Sequence, residues 1–343
     1  MTLAEAFRIQ AHACEGLGSP FMGQLLNLMA AKWHDGLPLA ARFAAWEGDI
    51  GPGGASLPLR LAGGLHALVL QGRDPRLAAV YPPETVSDTA LWAEVERAMV
   101  EHAGFLGDWC NSPPQTNELR RSVALVAAAH ALADRFALPF VTSELGASGG
   151  LNLIWDRYAL EINGKRWGAE DAVVTLAPDW TGPMPPNAAP EIIARAGVDL
   201  NPLDPTDPQD ALRLLAYLWA DQPDRIARTK AAISAQDFSV TKGDAIDWLE
   251  TRLASAQQGA LHLVYHTVAW QYFPPDAQAR GQGLIEAAGA RATPDAPLAW
   301  LSMENDGDNI GAALTLRLWP GDERHALARV DFHGRWIRWS GMA

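Results

Sequence analysis

The residues best suited to chemistry lie in a glycine-rich turn that follows an apolar segment. The run Phe140–Leu145 leads into GASGG at residues 146–150, and apolar residues at helical spacing come next. The first N–H groups of a helix have no acceptors within the helix, so a turn at this point can present them to a ligand. The pattern predicts a ligand-binding turn leading into a helix, with a purely structural strand-to-helix connection as the alternative.

The same turn fits two motifs with different chemistry. As G-x-S-x-G it matches a nucleophile elbow, in which Ser148 would attack an acyl group with the help of a later Asp and His. As acidic-x-Gly-x-x-x-Gly, carried by Glu144, Gly146 and Gly150, it matches a cofactor-binding loop. A nucleophile elbow follows several earlier strands, whereas the chain before Pro139 has helical spacing. The cofactor loop is therefore favoured, and the serine hydrolase stays the alternative.

Two aspartates follow later predicted strands at the spacing that a nucleoside-shaped ligand requires. Such a ligand needs acceptors for its ribose hydroxyls and its adenine amine at the carboxyl ends of successive strands. Asp199 ends the predicted second strand, where its carboxylate can accept from both ribose hydroxyls. Asp244, followed by Ala245, comes after the third strand and can accept from the amine. Either Asp alone is more typical of a helix N-cap or a turn, but their order favours a common site.

The segment HLVYHTVAWQYFPP at residues 262–275 resembles the strand-four region of class I S-adenosylmethionine-dependent methyltransferases, as the glycine turn resembles their first loop. With QTNE at 115–118 and DFHGRW at 331–336, the whole chain also looks like an uncharacterised bacterial family, catalogued as a domain of unknown function with a methyltransferase-like core. The resemblance implies S-adenosylmethionine as the cofactor and a small molecule as the substrate. The implied cofactor-binding residues are Glu144, Gly146, Ser148, Gly150, Asn152, Asp199, Asp244 and Ala245.

Methyl transfer requires few catalytic side chains. The reaction is an in-line displacement, so the protein chiefly aligns donor and acceptor, and a base is needed only when the acceptor carries a proton. His266, at the end of the predicted fourth strand, is the best-placed base, with Tyr272 nearby; a structural, hydrogen-bonded histidine is an equal alternative. Residues of the helix predicted before the first strand are expected either to border the substrate cleft or only to cap that helix. They are Gln115, Asn117, Glu118 and Arg120.

These residues require an α/β core to hold them together. The pattern predicts a class I methyltransferase-like (Rossmann-type), mostly parallel sheet with antiparallel C-terminal strands, preceded by an all-helical N-terminal region. The predicted boundaries are residues 1–136 for the helical region and 137–343 for the α/β domain, with an insertion at about 158–190. The predicted strands are 140–145, 194–200, 238–242, 261–266 and 298–303, followed by an antiparallel meander. The predicted helices include one from Ser112 to about Phe136 and others at 208–219, 225–235, 245–254 and 275–288.

Composition narrows the function classes. Forty acidic and 27 basic side chains give a net charge of −13, which disfavours generic nucleic-acid binding. No apolar run reaches the length of a membrane span, and the first residues lack the apolar core of a signal peptide, so we expect a cytoplasmic protein. The two cysteines, Cys14 and Cys110, form no paired motif, and no metal-binding motif occurs.

The leading hypothesis from the sequence is an S-adenosylmethionine-dependent methyltransferase that acts on a small molecule. Two alternatives remain, a catalytically inactive methyltransferase-like ligand-binding protein and a serine hydrolase that uses Ser148.

Overall fold

The computed structural model describes residues 1–308 and 310–342, and the chain forms two compact units. The helical unit comprises Met1–Thr116 and Thr206–Lys230, and the sheet unit comprises Asn117–Pro205 and Ala231–Ala343. This division differs from the predicted boundary after residue 136. The long helix before the first strand belongs to the core of the sheet unit, and a later segment returns to the helical unit.

The helical unit is built from short helices that begin at well-formed caps. Thr2 and Glu5 form a capping box at the first helix, and Ser19 and Ser87 cap two others with their hydroxyls. A large apolar core, which includes Phe7, Leu25, Leu61 and Leu91, packs these helices together, and a small second cluster joins α4 and α7 to α9. Its helices are α1 (Leu3–Gly16), α2 (Pro20–Lys32), α3 (Ala40–Ala44), α4 (Leu57–Leu70), α5 (Pro75–Ala78), α6 (Asp88–Glu101), α7 (Ala103–Trp109), α9 (Pro208–Ala216) and the first part of α10 (Pro223–Ala235).

The sheet unit contains all twelve strands of the described chain. The strands are β1 (Phe140–Leu145), β2 (Tyr158–Ile162), β3 (Lys165–Gly168), β4 (Val174–Leu176), β5 (Asp179–Thr181), β6 (Ile192–Asp199), β7 (Thr241–Lys242), β8 (Leu261–Thr267), β9 (Leu298–Glu304), β10 (Ala312–Trp319), β11 (Glu323–Val330) and β12 (Trp336–Trp339). The helices are α8 (Ser122–Phe136), α11 (Ala245–Arg252) and α12 (Pro275–Gly289), together with 3-10 turns at Leu119–Arg121, Trp155–Arg157 and Trp270–Tyr272.

Nine strands form one sheet in the order β5-β12-β11-β10-β9-β8-β1-β6-β7, and β3-β2-β4 form a second, smaller sheet. Five neighbouring pairs of the large sheet are parallel, and the three pairs from β9 to β12 are antiparallel. A mostly parallel α/β sheet with an antiparallel C-terminal meander is thus confirmed. The strand order reverses at β1, which pairs with β6 on one side and β8 on the other, so the crevice expected at such a switch point lies at the carboxyl end of β1.

Helix α8 is buried on nearly all sides because its sequence is apolar around its whole circumference. Twelve residues from Ser122 to Ala133 are buried, and their apolar members share one core with both sheets. Each fully buried Leu here, such as Leu125 and Leu132, contributes about 2 kcal/mol from removal of apolar surface. The helix therefore fixes the segment that leads directly into β1.

Three predicted elements differ from the structure because side chains take the backbone hydrogen bonds. Residues 113–118 form no helix, and α8 begins only at Ser122. The predicted strand 238–242 shrinks to Thr241–Lys242, since the Gln236 amide bonds both the N–H and the C=O of Phe238. No helix follows the glycine turn: the Leu151 N–H donates to Asn117 and its C=O accepts from the Tyr158 hydroxyl. The chain then passes through a 3-10 turn into β2.

In the described part of the chain, no helix combines the length and the apolar composition that crossing a membrane requires.

Candidate functional site

Four of the predicted site residues lie at one edge of the large sheet. Glu144 is near the end of β1, Asp199 ends β6, and His266 is the penultimate residue of β8. Asp244 follows β7, whose Lys242 pairs with Asp199 in a parallel register. Because these strands are parallel, their carboxyl ends share one edge, as the sequence order of the residues requires.

The glycine turn depends on glycine at both of its ends. Gly146 and Gly150 have φ values of +72° and +73°, in the left-handed region that favours glycine. A Cβ on Gly146 would lie 2.5 Å from the Ala269 Cβ, and one on Gly150 would lie 2.3 Å from the Gln236 Nε2. The turn is therefore fitted closely between the segment after β8 and the segment before β7.

Most amides of the turn bond to the protein itself, which corrects the expectation of a turn that presents bare N–H groups. The N–H groups of Gly146 and Ala147 donate to the Val198 carbonyl at 2.9 and 3.0 Å. Ser148 donates to Asp199 Oδ2 at 2.9 Å, and Leu151 donates to Asn117 Oδ1 at 2.8 Å. With no helix following, the turn also lacks the helix dipole that would attract an anion.

Asp199 lies beside the turn with its carboxylate held by two backbone groups. Oδ2 accepts the Ser148 N–H, and Oδ1 accepts the Asn201 N–H, each at 2.9 Å. The Asp199 carbonyl accepts from the Gly243 N–H at 3.0 Å, which joins the tips of β6 and β7. Since a carboxylate offers about four acceptor positions, two remain after these bonds. Asp199 is half-buried, so part of its side chain is accessible to solvent.

Asp244 is exposed and caps helix α11. Its Oδ1 accepts from the N–H groups of Ile246 and Asp247 at 2.8 and 3.0 Å. Ala245 is buried as the first residue of the helix. The capping role, which the sequence already made an alternative, therefore occupies one oxygen of the Asp244 carboxylate.

Glu144, the penultimate residue of β1, is a buried acid near the carboxyl edge of the sheet. Burial raises the pKa of its carboxyl well above the usual value, although a hydrogen bond with Tyr265 opposes the shift. The Tyr265 hydroxyl is 3.0 Å from the Asn152 carbonyl and 3.4 Å from Glu144 Oε2. A hydroxyl has one proton to donate, and the shorter contact takes it. Burial therefore favours the uncharged form of the Glu144 carboxyl.

Ser148 adopts a φ of +53°, and its hydroxyl is buried without a hydrogen-bond partner. A serine nucleophile needs a base within about 3 Å of its oxygen. Within the described residues no histidine contacts this hydroxyl. The arrangement therefore supplies no catalytic base for a serine hydrolase.

Both ring nitrogens of His266 have hydrogen-bond partners, the arrangement of the structural histidine that the sequence left as the equal alternative to a base. Nδ1 lies 2.7 Å from Glu304 Oε1, and Nε2 accepts from the Trp300 Nε1 at 3.0 Å. Trp can only donate, so Nε2 carries no proton and the Nδ1 proton points to Glu304. The side chain is 1% exposed and stacks on Trp270. His266 thus positions its neighbours and leaves no nitrogen for a substrate.

Glu304, at the end of β9, organises the segment after β8. Its Oε1 also accepts from the N–H groups of Ala269 and Trp270 at 2.9 and 3.0 Å. Burial acts to raise the pKa of this carboxyl, but the hydrogen bond from His266 and these two amides outweigh burial and keep it below its usual value. Glu304 is therefore an ionised carboxylate at the base of the 3-10 turn Trp270–Tyr272.

The segment that Glu304 holds carries backbone strain. Val268 has a φ of +54°, which a β-branched side chain rarely adopts, and its N–H donates to the Met303 carbonyl. Such strain persists where surrounding contacts impose it, often beside functional sites. Tyr272, the second predicted catalytic residue, follows in the 3-10 turn and is 71% exposed.

The residues predicted to border the substrate cleft have structural partners. Asn117 binds the turn through Leu151, and the Glu118 carboxylate accepts from the Arg120 N–H at 3.0 Å. Asn152, predicted to bind the cofactor, accepts from Ser122 and donates to the Glu118 carbonyl. Gln115 is half-buried and belongs to the helical unit. The side chains of Asn117 and Asn152 thus support the turn from within.

Sequence reasoning missed Arg121, which brings the β11–β12 turn to the same edge. Its Nη1 donates to the Thr267 carbonyl at 2.9 Å, and its Nε donates to the Phe332 carbonyl at 3.0 Å. β8 and β11 are three strands apart in the sheet, about 14 Å at the usual spacing. One guanidinium contacts both segments, so the turn after β11 folds back along the edge toward β8.

Glu304 was also missed as a site residue, although its position after the predicted fifth strand was a usable signal. Among the described residues, no three His, Cys, Asp or Glu side chains come close enough together to hold a metal ion.

Comparison with known proteins identifies the family of this chain. No curated protein and no solved structure is similar enough to this chain to be matched. Residues 4–339 match the model of the DUF2332 family, which is described as an uncharacterized protein conserved in bacteria. Since that match spans almost the whole chain, the protein belongs to the DUF2332 family.

Proposed function

We propose that the sheet unit binds S-adenosylmethionine at the carboxyl edge of β1, β6 and β7 and transfers its methyl group to a small molecule. One observation carries the proposal: the Asp199 carboxylate is fixed against the glycine turn by the Ser148 and Asn201 amides. The two acceptor positions that remain suit the two neighbouring hydroxyls of a ribose. A carboxylate oriented in advance binds such a pair with little loss of side-chain entropy.

Other groups at the edge suit the rest of an adenosine. The Ser148 hydroxyl, buried and without a partner, is a polar group of the turn that a ligand can satisfy. Asp244 uses only Oδ1 for capping α11, and its second oxygen suits an adenine amine. Burial, which raises the pKa of Glu144, disfavours a negative charge at this position. These groups match the nucleoside part of the cofactor. Most N–H groups of the turn already donate to acceptors within the protein, so the turn offers few donors to the rest of the cofactor.

The cofactor, held at its ribose by Asp199, would supply a methyl group on a sulfonium, which is electrophilic at the methyl carbon and has a neutral thioether as its leaving group. The chain's part in this reaction is alignment rather than proton transfer, since both nitrogens of His266 are engaged. We therefore expect the methyl-accepting substrate to be one that does not need His266 to remove a proton. Tyr272, exposed after β8, remains the candidate to contact that acceptor.

The test is an assay of the full chain with methyl-labelled S-adenosylmethionine and a bacterial metabolite extract. We expect label in a small molecule, and we expect Asp199→Ala to abolish it. The matched control is Asp237→Ala, which removes an exposed carboxylate paired with Arg157. Cofactor binding without labelled product would favour the catalytically inactive ligand-binding protein, in line with the engaged His266. Neither binding nor product would refute the proposal.

A further inference from the structure

The segment after β8 is apolar in sequence and yet lies at the protein surface. It reads VAWQYFPP at residues 268–275, and none of these eight residues is buried. Tyr272 is 71% exposed. The N–H groups of Ala269 and Trp270 donate to the Glu304 carboxylate, which holds the segment in this position. Apolar side chains that a fold keeps together at its surface often mark a binding site.

A second apolar stretch follows β6. Leu200, Pro202 and Leu203 come directly after Asp199, and none of the three is buried. Leu200 is 63% exposed. The Leu203 N–H donates to the Ser148 carbonyl at 3.4 Å, so this stretch runs past the glycine turn. We term residues 200–203 the β6 rim and residues 268–273 the β8 rim.

The two rims lie on either side of the glycine turn. β6 and β8 are the two neighbours of β1, so their tips are two strand spacings apart, about 10 Å. The β8 rim adjoins one end of the turn, where a Cβ on Gly146 would lie 2.5 Å from the Ala269 Cβ. The β6 rim adjoins the turn at Ser148. Exposed apolar side chains therefore flank the groups that we assign to the cofactor.

We infer that the methyl acceptor is a molecule with an apolar body, an aromatic ring or an alkyl chain, which contacts both rims. The inference rests on the proposed function and names its class of substrate. Contact with such a body removes the exposed parts of Leu200 and Tyr272 from water, which is favourable. Small-molecule sites are mostly apolar with a few polar groups that fix orientation, a role that Asp199 and Ser148 can fill beside the rims.

The acceptor also needs a nitrogen or sulfur nucleophile. The lone pair of that atom forms the new bond to the methyl carbon, the bond from this carbon to the sulfonium sulfur breaks, and its electron pair stays on the sulfur. Any proton on the acceptor is lost to water, since both nitrogens of His266 have partners. A neutral amine or a thiolate reacts in this way without a base from the protein.

The labelled product of the methyl-transfer assay tests the class of substrate. With methyl-labelled S-adenosylmethionine and a bacterial metabolite extract, we expect a labelled product that a reversed-phase column retains. A product that elutes entirely in the void volume would overturn the inference and leave the methyltransferase proposal intact. Failure of S-adenosylmethionine and its demethylated product to bind in calorimetry would instead refute the proposed function.

Leu200→Ser and Tyr272→Ser test the two rims one at a time. At limiting extract, each variant should lower the rate of labelling about tenfold, since each removes an apolar contact with the acceptor. The affinity for S-adenosylmethionine should stay within about twofold of the wild type. The control is Val100→Ser, which removes a 56% exposed apolar side chain of the helical unit and should leave labelling unchanged. Labelling that neither rim variant reduces would overturn the inference.

Nile red, an uncharged aromatic dye, tests the rims without the cofactor. We expect a saturable rise in its fluorescence with the full chain, and about tenfold weaker binding to Leu200→Ser and Tyr272→Ser but not to Val100→Ser. Because both rim side chains are exposed, both variants should keep the Tm of the wild type. Absence of dye binding, or equal binding by all three variants, would overturn the inference. A lower Tm in both rim variants would do so too, because these side chains would then be packed within the fold.

Discussion

The imidazole of His266 donates from Nδ1 to Oε1 of Glu304 across 2.7 Å, at the tips of adjacent parallel strands. This bond fixes the tautomer of the histidine and, through Glu304, the backbone of the segment after β8. That segment packs Ala269 against Gly146 of the glycine turn. The pair therefore determines the shape of the edge where we place the cofactor.

Replacing Glu304 should destabilise the protein in a pH-dependent way. Its folded pKa is below the unfolded value of 4.5, so its stabilisation is present above that pH and is lost as the pH falls through the folded pKa. We expect Glu304→Gln to lower the free energy of unfolding by about 2 kcal/mol at pH 7 and by less at pH 3. Urea unfolding at both pH values measures this. An equal loss of unfolding free energy at pH 7 and pH 3 would contradict an ionised Glu304. The control is Glu323→Gln, which changes a carboxylate at the protein surface.

Glu144 should show the opposite dependence. Its folded pKa is raised, so the folded state resists ionisation and loses stability as the pH rises above 4.5. Glu144→Gln removes this penalty and should stabilise the protein at pH 7 by about 1 kcal/mol or more, with little effect below pH 4. Urea unfolding across this range is the measurement. A variant less stable than the wild type at pH 7 would show that the ionised carboxylate is needed.

Gly146→Ala should destabilise the protein, because it combines a positive φ with a Cβ placed 2.5 Å from Ala269. We expect a loss of about 2 kcal/mol, from backbone strain and overpacking together. Gly283 is exposed in the interior of α12, where an added Cβ meets nothing within 4 Å. Gly283→Ala should therefore stabilise by about 0.5 to 1 kcal/mol. Thermal unfolding should therefore show a lower Tm for Gly146→Ala and a higher Tm for Gly283→Ala. If the Tm of both variants changed in the same direction, the tight fit at Gly146 would be wrong.

The strand tips of the sheet were predictable because strand periodicity and chain order are local properties of the sequence. β1 matches its predicted bounds, Asp199 ends β6 and Asp244 follows β7, as expected. The failures have a shared cause: side chains distant in sequence took hydrogen bonds that a local pattern assigns to helix or strand. Asn117 and Tyr158 do this at the backbone of Leu151, and at His266 the side chains of Trp300 and Glu304 occupy the imidazole nitrogens instead. Single-sequence patterns do not specify such partners.

The central claim, that the turn and Asp199 hold an adenosine-bearing cofactor, is tested most directly by calorimetry of the full chain with S-adenosylmethionine and with its demethylated product. We predict saturable binding of at least one of them, weakened tenfold or more by Asp199→Ala and unaffected by Asp237→Ala. Absence of heat for both ligands at millimolar concentration, with the chain folded, would contradict it.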